Sequence, residues 1–361
     1  MKVVFRVDAS QLIGSGHVMR CLALAEYLLK HHAQVFFICR ELPGNMIKII
    51  EERRFPVFRL PYKNTGGGGV YGGKKQYVLW LGVLLEKELY DVEKYLTPIN
   101  KIDWLIVDHY ALDEKWEEAL RKYTQHIMVI DDLANRKHVC DFLLDQNYYA
   151  ALDKRYDGLV PPKCRSLLGP KYVLLRNEFV KARKKIKVCD GNVRRILVFL
   201  GGADLTNETK KVLDALSMIG FLGVVDVVVG AQNRHKSEIR SICAGKQNYN
   251  FYFQVDNIVE LMLQADLAIG AGGVSVWERC CLGLPSLVIT LAENQERLAH
   301  DTHAFGAIAY LGKSDQLTVN ELAVALENNI YDSTRMKSMS QKGMLLVDGL
   351  GVQRVGEYVT I

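Results

Sequence analysis

No apolar run in the 361-residue sequence approaches the roughly 18 residues of a membrane-spanning helix, so an integral membrane protein is not expected. The first residues enter an apolar run without the pattern of a signal peptide, which makes a cytoplasmic chain the expectation. The eight cysteines, at 21, 39, 140, 164, 189, 243, 280 and 281, include no Cys-x-x-Cys pair. That scatter argues against a disulfide framework or a zinc site and for reduced core thiols. The histidines form no His-Glu-x-x-His motif, and no metal is expected. Charge of one sign is scarce as well. Much of the net charge of +5 comes from Lys181, Arg183, Lys184, Lys185, Lys187, Arg194 and Arg195. No aromatic residues interleave that run, so it reads as a solvated linker and not as a nucleic-acid surface.

What remains is the composition of a globular protein, long enough for two domains with a core each. In the first half, apolar strand candidates at Val3–Val7, Val35–Cys39, Val57–Leu60, Ile102–Val107, Ile127–Ile130 and Phe142–Leu144 alternate with helical patterns near 17–31, 45–53, 76–96 and 113–123. Proline and glycine then become frequent from Tyr156 to Pro170. Past the basic run the alternation restarts, with strands at Ile196–Leu200, Val224–Val229, Phe251–Phe253, Leu267–Ile269, Leu287–Thr290 and Ile308–Tyr310. Such alternation predicts an α/β protein with two parallel-sheet, Rossmann-like domains, over 1–185 and 190–361, and a cleft between them. Ligands of such sheets bind beyond the carboxyl ends of the strands, so the loops there are the places to look.

The first of these loops carries Gly14, Ser15, Gly16 and His17. In the helix that follows, Val18, Cys21, Leu22, Ala25, Leu28 and Leu29 recur at three- and four-residue steps and form an apolar face. His17 thus stands where backbone N–H groups lack partners and an anion is favoured. It is either a base beside a phosphate ester or a helix cap. A dinucleotide fingerprint would need a third glycine where Met19 stands. Asn64 to Lys75 holds six glycines and nearly matches a phosphate loop, but Lys75 replaces the required Ser or Thr and Pro61 separates it from the preceding strand. A surface loop is the better reading.

Asp108-His109-Tyr110 ends one strand and Asp131-Asp132 the next. Each admits a chemical role or a capping role. In the second half, Gly201-Gly202-Ala203-Asp204 is another potential anion cradle. Gly270 to Ser275 ends a strand, and Glu278 follows in a helix where its carboxylate can accept both hydroxyls of a ribose; a glycine turn with an acid at a helix start fits equally. Asn294-Gln295-Glu296 follows the next strand.

Over nearly its whole length the chain resembles a known family. The stretch FRVDASQLIGSGHVMRCLALAEYL, with WLIVDHY, VIDDLANRKHVCDFLLDQN, LLGPKYVLLRNEF, FLGGAD and LAENQE, is similar to the UDP-2,4-diacetamido-2,4,6-trideoxy-β-L-altropyranose hydrolases of pseudaminic acid biosynthesis. The related spore-coat polysaccharide proteins share much of it. Gly272-Gly273, Glu278 and Gly283-Leu284-Pro285 also look like the UDP-binding half of the peptidoglycan N-acetylglucosaminyltransferase. These resemblances imply the GT-B architecture, with UDP held by the second half. They imply His17 as catalytic base and Tyr110 as an active-site tyrosine. Gly14, Ser15 and Gly16, together with Gly272, Gly273, Ser275, Glu278, Asn294 and Gln295, would line the UDP-sugar site. The expected partner is a UDP-sugar, with no cofactor and no metal, and the expected state is a monomer. The glycine-rich loop at 66–73 departs from the family spacing.

Overall fold

In the computed structural model, residues 1–62, 77–99, 101–255 and 257–360 are described. The glycine-rich loop at 66–73 lies outside them. The chain forms two compact units. The first comprises residues 1–147, 151–176 and 351–361, the second 148–150 and 177–350.

In the first unit the strands are β1 (Lys2–Val7), β2 (Gln34–Arg40), β3 (Val57–Leu60), β4 (Ile102–Asp108), β5 (Thr124–Ile130), β6 (Phe142–Asp145) and β7 (Arg165–Leu168). They pair in parallel in the order β3-β2-β1-β4-β5-β6-β7. The second unit repeats the scheme with β8 (Arg195–Phe199), β9 (Val224–Val229), β10 (Tyr249–Phe253), β11 (Leu267–Ala271), β12 (Ser286–Thr290) and β13 (Ala309–Lys313), ordered β10-β9-β8-β11-β12-β13. Both sheets are therefore α/β and doubly wound. Strand order reverses between β1 and β4 and again between β8 and β11, and such switch points open the crevice that takes a ligand.

The helix Gly16–Lys30 packs on the first sheet through Val18, Cys21, Leu22, Leu24, Ala25 and Leu28, all essentially inaccessible. Burying a Leu or Val side chain fully contributes about 1.5–3 kcal/mol, which anchors the loop before this helix. Leu29, expected on the apolar face, is instead 48% exposed, one step round the helix from Leu28. The helical pattern near 76–96 resolves into two helices, Val78–Leu81 and Leu85–Ile99, because Gly82 between them adopts φ +70, a left-handed conformation that ends a helix.

Strand β7 was not expected from sequence. It has four residues, lies at the sheet edge and is bracketed by Pro161-Pro162 and Gly169-Pro170, so turn residues mask it. The division between units falls after Arg176, and the last helix, Gly351–Thr360, does not belong to the second unit as its sequence position suggested. Its Val355 and Val359 join the first unit's core, and Gly356 lies so close to Tyr27 that a Cβ would stand 2.2 Å from a ring carbon. Among the described residues no helix is long and apolar enough to cross a membrane.

Candidate active site

At the first switch point, His17 follows β1 and Asp108 ends β4. The chain between β1 and the helix turns tightly: Gly14 N–H donates to the Ser10 carbonyl at 2.9 Å, and Gly14 sits at φ +78, where a side chain would be strained. Ser15 provides no side-chain cap to the helix, so the first N–H groups keep their donor capacity. His17 Nδ1 lies 2.5 Å from Asp108 Oδ1. A carboxylate held in such a pair only accepts, so Nδ1 carries a proton, and in the neutral imidazole Nε2 then holds the lone pair. Arg20 Nη2 is 3.3 Å from the same Nδ1, but two donors cannot bond each other. Its proton goes to Asp108 Oδ1 at 2.7 Å, while Arg20 Nε reaches Oδ2 at 2.7 Å.

Asp108 is completely buried. Burial alone would raise its pKa, but Arg20 and then His17 more than offset this and hold it well below the usual carboxylate range. It remains an anion that fixes the imidazole tautomer. Arg20 also contacts Asp132 at 3.2 Å, and Asp132 accepts the hydroxyl proton of Tyr110. Burial first and then the Asp132 charge push the Tyr110 phenol well above its ordinary pKa, so it stays protonated. Its ring meets His17 edge to face at 4.7 Å and stacks on Trp80 at 5.1 Å, and Trp80 in turn edges His17 at 5.9 Å. His17 is thus walled by aromatics, where charge interactions are strong.

His109 and Asp131 do not join this group. His109 Nε2 faces Asp8 at 3.4 Å within a buried set that includes Arg6, Arg40 and Glu88. Asp131 holds a turn, accepting from Ala134 N–H, Arg136 and Tyr156. Of the residues gathered around His17, Asp108 and Asp132 were singled out in the sequence as chemical or capping candidates, whereas Arg20 and Trp80 were not. The available signal was Arg20 three positions after His17, on the same helix face.

At the second switch point, Gly201-Gly202 follow β8 and Gly272-Gly273 follow β11. The anion cradle expected around Gly201 is filled from within, because the Asp204 carboxylate accepts Glu208 N–H at 2.8 Å, Thr209 N–H at 3.0 Å and the Thr209 hydroxyl at 2.6 Å. Around Gly272 the structure brings Gln295 up against the glycine, with Ser275 and Glu278 on the helix that follows. A Cβ on Gly272 would lie 3.2 Å from that of Gln295, while Gly273 faces open space. Gln295 Oε1 accepts Leu291 N–H at 3.0 Å and so closes its own loop. Asn294 is exposed and Glu278 half-buried. Ser275 Oγ accepts from Arg279 Nη1 at 3.0 Å.

Two parallel doubly wound units with loops of this kind at their switch points make up the GT-B glycosyltransferase fold. The solved MurG of Acinetobacter baumannii has this fold, with a TM-score of 0.67 at 15% identity over 99% of both chains. UGT89C1 of Arabidopsis thaliana in complex with UDP has it too, with a TM-score of 0.68 at 12% identity over the whole of both chains. Residues 195–346 match the model of the glycosyltransferase family 28 C-terminal domain. More particularly, the chain is similar to the UDP-2,4-diacetamido-2,4,6-trideoxy-beta-L-altropyranose hydrolase of Campylobacter jejuni, 27% identical over 299 residues that cover 83% of this chain and 95% of that protein. The spore coat polysaccharide biosynthesis protein SpsG of Bacillus subtilis is 29% identical over 280 residues, covering 76% and 81%. The uncharacterized protein MJ1062 of Methanocaldococcus jannaschii is 26% identical over 328 residues, 89% of this chain, which spans 60% of that relative's length.

Proposed function

We propose that the protein hydrolyses a UDP-linked 2,4-diacetamido-2,4,6-trideoxy hexose to the free sugar and UDP, with inversion at the anomeric carbon, as a step of pseudaminic acid biosynthesis. The observation that carries this reading is the contact between His17 Nδ1 and the buried Asp108, which leaves Nε2 as the ring nitrogen able to accept a proton. Kinship with the Campylobacter jejuni hydrolase over most of both chains supports the substrate class.

In the reaction, water attacks the anomeric carbon and gives its proton to His17 Nε2. The bond from that carbon to the phosphate oxygen breaks, and its electron pair leaves with UDP. Asp108 stabilises the imidazolium that forms, as a buried carboxylate does beside a catalytic histidine. UDP is a stable anion and leaves without a strong acid. The uncapped N–H groups at Gly16 and His17 favour its developing charge. Gly272, Gly273, Ser275 and Glu278 hold the nucleotide, Glu278 through the ribose. A single displacement inverts the configuration.

A second reading, a glycosyltransferase that replaces water with an acceptor hydroxyl, is supported by the family 28 domain and the fold. Following the candidate UDP-sugar by NMR separates the two. The hydrolase reading expects UDP and free sugar, initially as the inverted anomer, without added acceptor. Retained configuration sinks the single displacement, and turnover only with an acceptor favours the transferase.

A further inference from the structure

Arg279 is only 2% exposed, yet it ends in the loop that follows β11. Its Nε donates to Ser286 Oγ at 2.9 Å, Nη1 to Ser275 Oγ at 3.0 Å and Nη2 to the Ala271 carbonyl at 3.1 Å. Among the described residues all three acceptors are neutral. Burial draws its pKa down to about 10, with Cys280 and then Glu278 offsetting this only in part. A buried cation satisfied by neutral dipoles is costly, and an anion nearby relieves the cost. The backbone makes room for it: a Cβ on Gly270 would stand 2.7 Å from Nη1.

The hydrogen-bond directions have a chemical result. A helical serine commonly donates to the carbonyl four residues back. For Ser275, the first residue of its helix, that carbonyl is Ala271, at the end of β11, which accepts from Arg279 Nη2 at 3.1 Å. The Ser275 oxygen is itself taken as an acceptor, and among the described residues its hydroxyl proton goes to no protein acceptor. We infer that Arg279 is a positioning residue for a diphosphate: it fixes Ser275 as a polarised donor beside Gly272-Gly273 and places a buried, only partly compensated positive charge behind that donor. The inference rests on the reading of this loop as the nucleotide site. It differs in assigning the selection of the diphosphate over the nucleoside to a side chain that need not touch the ligand.

The test compares UDP with uridine by calorimetry and ligand-observed NMR on the full chain. Arg279→Met and Ser275→Ala are each expected to weaken UDP roughly 10–100-fold, the range for hydrogen bonds to charged groups, while leaving uridine unchanged. The double variant is expected to lose no more than the worse single one, since both act through one relay. Arg279→Lys, which restores charge without the fork, should recover part of the UDP affinity. Equal losses for UDP and uridine, additive losses, or UDP binding at the wild-type level overturn the relay. Ser275→Ala leaves the buried guanidinium in place and keeps the test decisive should Arg279→Met fail to fold. A wild-type protein that binds UDP no better than uridine sinks the nucleotide-site reading and the relay with it. If Glu278→Ala weakens UDP but the Ser275 and Arg279 variants do not, the relay alone falls.

Discussion

A neutral imidazole has one nitrogen that donates and one that accepts, and in this chain Asp108 decides which is which. If His17 is the base, His17→Asn keeps a good capping residue but should lower turnover roughly 10²–10⁴-fold, the usual share of a positioned base. UDP affinity should stay near wild type in a binding assay; full turnover in the folded variant would remove His17 from the chemistry. Asp108→Asn tests the tautomer separately. An amide that turns its NH₂ toward Nδ1 stabilises the proton on Nε2, and the turnover loss should approach that of His17→Asn, as in other histidine–carboxylate pairs. Steady-state kinetics of both variants decides this, and an Asp108→Asn enzyme of normal rate would show that the pair only stabilises the fold. His17 and Tyr110 were legible because they follow apolar strands at the carboxyl edge. Arg20 was not, because its meaning lies in contacts such as that with Asp108 across 88 residues of sequence. The charged set of Arg6, Asp8, Arg40 and Glu88 was equally hidden, since it pairs strand residues with a distant helix.

At the scale of elements, parallel strands buried on both faces read as continuous apolar runs, which is why twelve of the thirteen strands among the described residues stood out and the four-residue edge strand β7 did not. The destination of the last helix could not be read, because an apolar face does not state which core it covers. That docking makes a prediction. Gly356→Val drives a side chain into Tyr27 and should destabilise the first unit by about 1–3 kcal/mol, the cost of overpacking. Thermal unfolding measures it, and an unchanged midpoint would mean that the helix is not held as described.

At the scale of the whole molecule, buried carboxyls give stability a pH dependence. Asp145 is raised from 3.8 to about 7, by burial and then by the charge of Asp132, against the pull of Asn147 N–H and Arg155. The folded state therefore binds a proton that the unfolded state has lost. This contribution is fully present below pH 4 and disappears as pH rises to about 7, by up to about 4 kcal/mol. Asp8 and Asp108 are lowered and act oppositely, losing their contribution as pH falls below the ordinary carboxylate range. Urea unfolding from pH 4 to 8 should show Asp145→Asn with a flatter profile than wild type; parallel profiles would contradict the assignment.

The return of the last helix to the first core also orders events during synthesis. Residues 177–350, a stretch of 174, are made between the body of the first unit and the helix that completes it. At roughly 5–20 residues per second the ribosome takes about 10–35 s to cross that interval. For that time the apolar surface beside Tyr27 that Val355 and Val359 later cover is uncovered on the nascent chain, open to chaperones, while β8 to β13 of the second unit are being made.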